Sequence, residues 1–369
     1  MSSELRGSQA EQFVPPGGVI GIVGGGQLGR MLALAAARIG LDVHIYAPEQ
    51  DCPASRVAAK TWSAAYEDAD ALADFARACD VVTFEFENIP VSALRQIEAA
   101  GTPVRPGEAA LENSQDRLVE KRFLKSIGLN TAEFRQVDGP AHLETALSHL
   151  GEGFLKTRRA GYDGKGQIHL VPGDDAAEAW ARLGGVPAIF EQRVAFAREL
   201  SSVVARGLDG TLKTYDIPEN THETGVLRQS RVPADASPAV LSDARDAGER
   251  LADALDYVGV LALELFETDD GALLANEFAP RVHNTGHWTE DACITGQFEQ
   301  HTRAVCGWPL ASTHRLCDAV MENLLGDEVS TSLERANKRS VTRLYGKREI
   351  APGRKMGHLT HLKHPRASA

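Results

Sequence analysis

Short hydrophobic runs alternate with segments of helical periodicity along the first third of the chain. The apolar run 19–23 leads into a glycine turn, after which apolar residues recur at helical spacing, namely Leu28, Met31, Leu32 and Ala35. A second apolar run, 43–46, follows. The pattern continues with a predicted helix 68–78, strand 80–84, helix 91–100, strand 103–105 and charged helix 115–128. This alternation predicts βαβ units around a parallel sheet.

A different pattern, typical of a hairpin, occupies residues 260–287. Leu261, Leu263 and Leu265 alternate with residues that share the opposite face, and residues 268–271 supply turn chemistry. If all four residues turn, Glu264 lies opposite Ala275 and diagonal to Glu277; if only Asp270-Gly271 turn, Glu264 lies directly opposite Glu277. Either register places both carboxylates on one face.

Two carboxylates on one face repel each other, so we expect a positive group between them. A divalent cation is one candidate, since Mg²⁺ takes one or two carboxylates together with substrate phosphates. The alternative is a glutamate solvated on an open sheet face. Arg281, His283 and Asn284 follow in an irregular segment, and this combination favours a site that holds a metal and an anion together.

Composition bounds the class of protein. The 369 residues predict two or three domains, and a net charge of −12 argues against a general nucleic-acid or anionic-membrane binder. Five cysteines without CxxC spacing indicate reduced thiols in a cytoplasmic protein. No apolar run is long enough to cross a membrane, and no signal peptide is evident. Residues 1–17, which are polar, are predicted to be a disordered tail.

Two features of the first domain bear on ligands. Gly24-x-Gly26-x-x-Gly29 resembles a dinucleotide fingerprint, but the acid that should close the second strand is missing, which argues against NAD. Glu85 and Glu87 follow a parallel strand, where ligand groups are commonly placed. A solvated strand end is the alternative.

Residues 156–167 combine a strand-end lysine with a glycine-rich loop. Its glycines let backbone amides approach phosphate oxygens, and Lys156 can neutralise their charge, although an ordinary hairpin loop has a similar composition. Strands are predicted at 188–194 and 199–206. A free edge on the first would suit an adenine, and Glu199 could bind ribose hydroxyls.

The end of the chain is basic. Residues 335–366 contain ten Lys or Arg and one acid, Glu349, which suits a phosphomonoester site. A solubilising tail is the alternative, but the strand-like patterns VTRLYGK and MGHLTHLKH argue against it.

Taken together, these segments resemble an ATP-grasp enzyme, and more closely the 5-(carboxyamino)imidazole ribonucleotide synthetases of purine biosynthesis. The resemblance spans residues 19–358 and is carried by GGGQLGRM, TFEFENI, GYDGKGQ, PENTHETGVL, NEFAPRVHNTGHWT and YGKREIAPGRKMGH. Many ATP-grasp enzymes carry an asparagine two residues after the second metal glutamate. Ala279 stands there in this chain, and Asn276 precedes the glutamate instead, as in the nearer family. Whether Asn276 contacts the metal is left open.

The resemblance implies a mixed α/β (α+β) ATP-grasp fold. Its implied parts are the tail 1–17, a Rossmann-like pre-ATP-grasp domain 18–115, a small lid domain 116–195, a catalytic domain 196–310, and a basic C-terminal β subdomain 311–369 that packs on the substrate site.

The resemblance also implies roles for individual residues. ATP would be bound by Arg117, Lys156, Gly161, Tyr162, Asp163, Gly164, Lys165, Gly166, Gln167, Glu191, Gln192, Arg193, Val194, Glu199, His222, Asn276 and Glu277. Mg²⁺ would be held by Glu264 and Glu277. Bicarbonate chemistry would fall to Arg281, His283, Asn284 and Lys156. The ribonucleotide would meet Gln27, Leu28, Glu85, Tyr162 and Lys165, with its phosphate on Lys347, Arg354 and Lys355.

The implied reaction joins bicarbonate to 5-aminoimidazole ribonucleotide through carboxyphosphate, with ATP consumed and Mg²⁺ as cofactor. The expected partners are these small molecules and a second copy of the chain, with no nucleic acid and no membrane. The alternatives are a formate-dependent glycinamide ribonucleotide transformylase, a biotin carboxylase, a nicotinamide-dependent dehydrogenase and a non-catalytic nucleotide sensor.

Overall fold

The computed structural model describes residues 13–161 and 166–365. Four apolar clusters form its core, with the two largest on opposite faces of one large sheet. Among the described helices, none is long and apolar enough to span a bilayer. Tyr162, Asp163, Gly164 and Lys165, four of the predicted site residues, lie outside the described residues.

The first unit is a four-stranded parallel sheet of order β3-β2-β1-β4 with helices around it. Its elements are β1 Val19–Val23, α1 Gln27–Arg38, β2 Asp42–Ala47, β3 Lys60–Ser63, α2 Ala69–Arg77, β4 Val81–Phe84, α3 Val91–Ala99 and α4 Glu108–Ser114, with a 3₁₀ turn at Ser55–Val57. The predicted βαβ pattern is confirmed. The predicted strand 103–105 is reduced to one bridge between Val104 and Val82, because prolines on both sides lack the N–H that a ladder needs.

The predicted disordered tail does not reach residue 17. Val14 is 2% exposed, and its N–H donates to the Cys306 carbonyl at 2.9 Å. Trp308 Nε1 donates to the Val14 carbonyl at 2.7 Å, and the Phe13 ring stacks on Trp308. Sequence reasoning took the polar composition of the segment as decisive and missed these two apolar anchors. Residues 1–12 lie outside the described part of the chain.

The second unit is an antiparallel sheet of order β5-β8-β6-β7 covered by two helices, with a third helix leading into it. Its elements are α5 Arg117–Ser126, β5 Phe134–Val137, α6 Pro140–Leu150, β6 Gly153–Thr157, β7 Gln167–Leu170, α7 Ala176–Arg182 and β8 Ala188–Gln192. The glycine-rich segment connects β6 to β7, and the Thr157 N–H donates to the Gly166 carbonyl at 2.9 Å at its base.

The third unit is a nine-stranded sheet of order β14-β13-β9-β11-β12-β15-β17-β16, with β10 paired to β9. Its strands are β9 Arg198–Arg206, β10 Leu212–Thr214, β11 Glu219–Glu223, β12 Val226–Val232, β13 Gly259–Glu267, β14 Leu273–Ala279, β15 Cys317–Leu325, β16 Ser340–Leu344 and β17 Lys355–Pro365. Its helices are α8 Pro238–Ala254, α9 Thr289–Ala292, α10 Gln297–Val305 and α11 Ser332–Arg335, with 3₁₀ turns at Asn284–Gly286 and Gly326–Thr331. The C-terminal strands therefore extend this sheet.

The two faces of β13 are covered by different elements, as its alternation predicted. Leu261, Leu263 and Leu265 are buried with the apolar face of α8. Ala262 belongs to the opposite cluster, which includes residues of α1 and α10. Glu264 is therefore on the α1 side of the sheet, toward the first unit.

A buried histidine joins the first and third units. His301 on α10 accepts the Val260 N–H at Nδ1 (3.0 Å), and its Nε2 is hydrogen-bonded to Thr83 Oγ1 at 2.8 Å. Burial lowers the pKa of His301 to about 4, so the ring is neutral and each nitrogen has one role. This link fixes the end of β4 against the strand that carries Glu264.

Candidate active site

A cavity of about 1020 Å³ opens where the three units meet. Most of the predicted site residues line it: Gln27, Leu28, Glu85, Arg117, Lys156, Gly161, Gln167, Glu191, Gln192, Val194, Glu199, His222, Glu264, Asn276, Glu277, Arg281, His283, Asn284, Lys347, Arg354 and Lys355. Gly166 and Arg193 do not line it. Arg193 points instead to Glu152, with Nη1 3.3 Å from Oε1.

The two hairpin carboxylates face each other across a β-bulge. Leu263 pairs with Phe278 and Leu265 with Ala275, so Glu264 alone faces both Asn276 and Glu277. Ala262 and Leu263 keep the predicted register that places Glu264 opposite Glu277, whereas residues 265–267 are shifted by one. The other predicted register, with Glu264 opposite Ala275, is wrong, and both had assumed a regular ladder. The extra residue turns Asn276 to the cavity as well, where simple alternation pointed it away from Glu277.

The carboxylates differ in proton affinity. Burial and the neighbouring Glu277 raise the pKa of Glu264 to about 7. Burial also acts on Glu277, but Arg117, whose Nη1 lies 2.8 Å from its Oε2, and then Lys156 lower the pKa of Glu277 to about 2. A cation between the two would relieve the repulsion that Glu264 experiences.

Helix α5 contributes three side chains, two of which sequence reasoning missed. Asp116 caps its first turn by accepting the Leu118 N–H at 3.0 Å and also binds Arg158, with Nη2 2.7 Å from Oδ2. Arg117, Glu120 and Lys121 then share one face, since residues i, i+3 and i+4 are neighbours on a helix. The i+3 spacing from Arg117 is a signal from which the sequence could have predicted Glu120 at the cavity. Lys121 does not line the cavity and is identified only by its contact with Glu191 in the folded chain.

Glu191 serves as the centre of a buried charge cluster. Lys156 Nζ lies 2.8 Å and Lys121 Nζ 3.5 Å from Glu191 Oε2. Despite burial, the two lysines lower the pKa of Glu191 to about 2, so it is ionised. The cluster fixes Lys156 at the root of the glycine-rich segment.

The expected free strand edge at 188–194 is absent over the paired residues. Strand β8 ends at Gln192 and lies between β5 and β6, and the Gln192 and Arg193 N–H groups donate to the Glu133 and Glu152 carbonyls. An apolar run without alternation is typical of an internal strand, which sequence reasoning should have considered. Val194 is the first residue of this stretch beyond the pairing.

An aromatic pair and an ion pair flank the connection from β8 to β9. The Phe196 and Phe266 rings stack at 4.7 Å. Glu199 forms an ion pair with His222, and Glu199 and then Glu264 raise the pKa of His222 against the lowering effect of burial. The predicted nucleotide residues Glu199 and His222 are thus in contact.

Arg281 is held by the first unit. Its Nη2 donates to Glu87 Oε1 at 2.9 Å and its Nε to the other Glu87 oxygen, a bidentate pair at the end of β4. Glu87 is half-buried, and although desolvation acts in the other direction, Arg281 lowers the pKa of this carboxylate. The Glu87 position, predicted to carry a ligand group, orients the arginine.

The other two residues of this loop are fixed by buried amides. Gln297 receives the His283 N–H at 2.9 Å and donates to the His283 carbonyl at 2.7 Å. Asn284 and Asn323 exchange two side-chain hydrogen bonds, at 2.7 and 3.0 Å. Burial and Arg281 lower the pKa of His283 well below its usual value, so it faces Glu264 as a neutral ring, 3.6 Å away.

The glycine fingerprint is filled by a protein carboxylate. Glu85 accepts the Gly26 and Gly29 N–H groups at 2.8 and 3.1 Å, which is where a dinucleotide fold would bind pyrophosphate. A Cβ at Gly26 would lie 2.7 Å from Glu85 Oε1. Because a buried acid occupies the anion position, the arrangement argues against NAD.

The basic segment, residues 335–366, is folded over its described part. Some of its cations line the cavity and others form ion pairs that hold the segment in place. Lys347, Arg354 and Lys355 line the cavity. Others tie the segment down: Arg348 Nη2 lies 2.7 Å from Asp51 Oδ2, and Arg335 Nη2 lies 2.7 Å from Glu322 Oε2. The alternative of a solubilising tail does not hold for the described residues.

Comparison with known proteins identifies relatives along nearly the whole chain. Three protein-family models match: a ribonucleotide synthetase preATP-grasp domain over residues 18–115, an ATP-grasp domain over 122–298, and a phosphoribosylaminoimidazole carboxylase C-terminal domain over 319–369. The N5-carboxyaminoimidazole ribonucleotide synthase of Brucella melitensis is 53% identical over 94% of this chain and 97% of its own length.

Solved structures agree. The ADP complex of an N5-carboxyaminoimidazole ribonucleotide synthetase matches with TM-score 0.92 and 40% identity, covering 95% of this chain and 94% of that one. The Aspergillus clavatus enzyme in complex with ADP and 5-aminoimidazole ribonucleotide matches with TM-score 0.87 and 29% identity over 94% of both chains. The ATP-grasp fold is therefore confirmed, and the chain belongs to the N5-carboxyaminoimidazole ribonucleotide synthase family.

Proposed function

We propose that this protein carboxylates 5-aminoimidazole ribonucleotide with bicarbonate, consuming ATP and releasing ADP and phosphate, as a step of purine biosynthesis. The observation that carries the proposal is the family membership along nearly the full chain, since relatives with this name match all three units. The cavity supports it, because it brings phosphate-binding cations, paired carboxylates and an arginine loop together.

ATP would lie with its adenine near Phe196 and Phe266 and its ribose near Glu199 and His222. Val194, beyond the strand pairing, is the residue of the predicted clamp best placed to offer its backbone. The phosphates would meet Arg117 and Lys156 and the glycine-rich segment. Gln192 and Arg193 were also predicted to contact ATP. Their N–H groups donate to the Glu133 and Glu152 carbonyls, so they would contact the nucleotide through other atoms.

Mg²⁺ would be held by Glu264 and Glu277, with Asn276 as a neighbour. Among the described residues no three His, Cys, Asp or Glu side chains are grouped to bind a metal by themselves. Two carboxylates that need phosphate oxygens to complete the shell fit Mg²⁺, and the raised pKa of Glu264 is the mark of a site that a cation would stabilise. Bound there, Mg²⁺ would neutralise charge on the transferred phosphoryl group.

Bicarbonate would be bound by Arg281, His283 and Asn284. A bicarbonate oxygen attacks the γ-phosphorus, and the bond from that phosphorus to ADP breaks, which gives carboxyphosphate. Lys156 and Arg281 balance the charge that moves, and neutral His283 can donate one hydrogen bond without adding charge. Carboxyphosphate then delivers its carbon to the substrate amine, either directly or as CO₂ that it releases. In both routes the bond from carbon to the phosphate oxygen breaks, the nitrogen–carbon bond forms, and the amine loses a proton to the departing phosphate.

The ribonucleotide would lie between the first unit and the basic segment. Gln27 and Leu28 at the start of α1, together with Glu85, would contact its base and ribose. Its phosphate would be bound by Lys347, Arg354 and Lys355. Tyr162 and Lys165, also assigned to this substrate by the resemblance, remain predictions because they lie outside the described residues.

We also propose that the protein works in the cytoplasm as a homodimer. All five cysteines are free thiols, which suits a reducing compartment. Sedimentation of the purified protein tests the dimer, and a single species at the mass of one 39.7 kDa chain would contradict it.

Phosphate release from Mg·ATP tests the reaction. We expect release to rise sharply only when bicarbonate and 5-aminoimidazole ribonucleotide are both present. Formate in place of bicarbonate, and glycinamide ribonucleotide in place of the aminoimidazole, serve as controls for the transformylase alternative. Release that does not depend on the aminoimidazole substrate would contradict the proposal.

A further inference from the structure

The outer edge of strand β14 is covered at two points by the segment that begins with α5. The Ala275 N–H donates to the Asn130 carbonyl at 2.7 Å, and the Phe278 N–H donates to Glu120 Oε1 at 2.7 Å. Glu120 is 3% exposed and was not among the predicted site residues.

These two bonds cannot both exist in a regular strand. N–H groups along a strand point alternately to opposite sides, so Ala275 would share its side with residues 277 and 279. Phe278 points to that side only because the bulge inserts one extra residue between the two bonds. The Glu120 hydrogen bond is therefore specific to the bulged register.

The bulge decides which side chains reach the cavity. In a regular ladder only one of Asn276 and Glu277 would share the face of Glu264, and the other would point toward the apolar face that holds Leu263 and Leu265. With the bulge, both line the cavity. Arg117, one turn before Glu120 on α5, then contacts Glu277 at 2.8 Å.

We infer that Glu120 is a positioning residue: by accepting the Phe278 N–H it holds the bulged register that presents Asn276 and Glu277 together to the bound nucleotide. The consequence for catalysis rests on the proposed role of Glu277 in Mg·ATP binding, whereas the hydrogen bond itself does not. Burial and nearby Glu277 raise the pKa of Glu120 to about 8, so a neutral acceptor suits the position.

Three variants separate this role from a general effect of the helix. Glu120→Gln keeps an acceptor oxygen, and Glu120→Leu removes it at similar volume. Arg122→Gln changes an exposed side chain on the same helix and is the control. Hydrogen–deuterium exchange of the peptides covering β13 and β14 is measured on the ligand-free proteins, and the Mg²⁺ dependence of turnover is measured on the same samples.

In the wild type we expect the Phe278 amide to be protected. Glu120→Leu should raise exchange at residues 276–279 by about tenfold or more while β13 keeps its protection, because a lost 1.4 kcal/mol corresponds to a factor of ten. Its apparent KM for Mg²⁺ should rise by about 10- to 100-fold, as when the partner of a metal ligand is lost. Glu120→Gln and Arg122→Gln should match the wild type within about threefold.

Several results would overturn the inference. One is a wild-type Phe278 amide that exchanges like an unstructured one, which needs no variant to fold. Another is Glu120→Leu with wild-type exchange and Mg²⁺ dependence, and a third is Glu120→Gln as impaired as Glu120→Leu. A wild type that needs no Mg²⁺ would contradict the metal assignment instead, and the exchange data would still decide whether Glu120 holds the bulge.

Discussion

At the scale of single residues, neighbouring charges give similar side chains different roles. Glu277 is ionised beside Arg117, whereas Glu264, without a comparable partner, has a pKa of about 7. Arg281 is oriented by Glu87 at the end of β4. Both arrangements join residues far apart in the chain, so composition and spacing could not have predicted them.

Arg281→Ala is expected to abolish bicarbonate-dependent turnover. The arginine is the one cation of the 281–284 loop, and loss of a preorganised charge donor typically costs 10²- to 10³-fold in rate. Binding of an ATP analogue should change little, because Arg117 and Lys156 remain. Steady-state kinetics and a nucleotide titration check this, with Arg303→Ala on α10 as control. Unchanged turnover would contradict the proposed role.

The raised pKa of Glu290 should make the free energy of unfolding depend on pH. Burial raises the pKa of Glu290 from 4.5 to about 7. Between these values the folded protein binds more protons than the unfolded chain, so the free energy of unfolding falls as the pH rises through that window.

Glu290→Gln cannot ionise and should lose this contribution. Relative to the variant, the wild type should lose on the order of 2–3 kcal/mol between pH 5 and pH 8. Urea unfolding at several pH values measures the difference, and exposed Glu334→Gln should track the wild type. Curves for Glu290→Gln and wild type that stay parallel would show that Glu290 is not perturbed.

At the scale of elements, hydrophobic periodicity correctly predicted those strands and helices whose formation depends on residues close together in the chain. Strand β13 forms as its alternating apolar residues predicted. Leu261, Leu263 and Leu265 all pack on α8, because alternate residues of a strand point to the same face. The bulge in β14 could not be predicted from sequence. The Phe278 N–H that it turns outward is accepted by Glu120, which lies more than 150 residues earlier in the chain. The internal position of β8 likewise depends on pairing with β5 and β6.

Substitutions of Asp116 test whether the N-cap of α5 positions Arg117 for ATP binding. Asp116→Ala removes both the N-cap and the Arg158 pair, and we expect a loss of about 1–3 kcal/mol in stability and a raised KM for ATP, because Arg117 follows the cap directly. Asp116→Asn keeps the cap acceptor and should be milder.

A matched control is Asp175, which caps α7 in the same way, accepting from Ala177 and Glu178, away from the cavity. Asp175→Ala should cost about 1 kcal/mol and leave the KM for ATP unchanged. Thermal unfolding and ATP kinetics distinguish the two caps. Equal effects of both alanine variants on the KM would show that α5 does not position Arg117.

At the scale of the whole molecule, the site exists only because three units meet. His301 joins β4 to β13, and the C-terminal segment contacts the first unit through Arg348 and Asp51 and through the bond from Arg56 to the Gly346 carbonyl at 2.5 Å. The family's motifs predicted about half of the residues that line the cavity. Their mutual partners, above all Lys121, Glu87 and Gln297, required the folded chain.

Transfer of an oxygen atom from bicarbonate to phosphate is the most direct test of the proposed reaction. Turnover is run with ¹⁸O-bicarbonate, unlabelled ATP, Mg²⁺ and 5-aminoimidazole ribonucleotide, and the released phosphate is analysed by mass spectrometry. If bicarbonate is activated as carboxyphosphate, one labelled oxygen passes into each phosphate, because the oxygen that attacks phosphorus leaves with it. Phosphate without label, formed while the ribonucleotide is carboxylated, would contradict the proposed reaction.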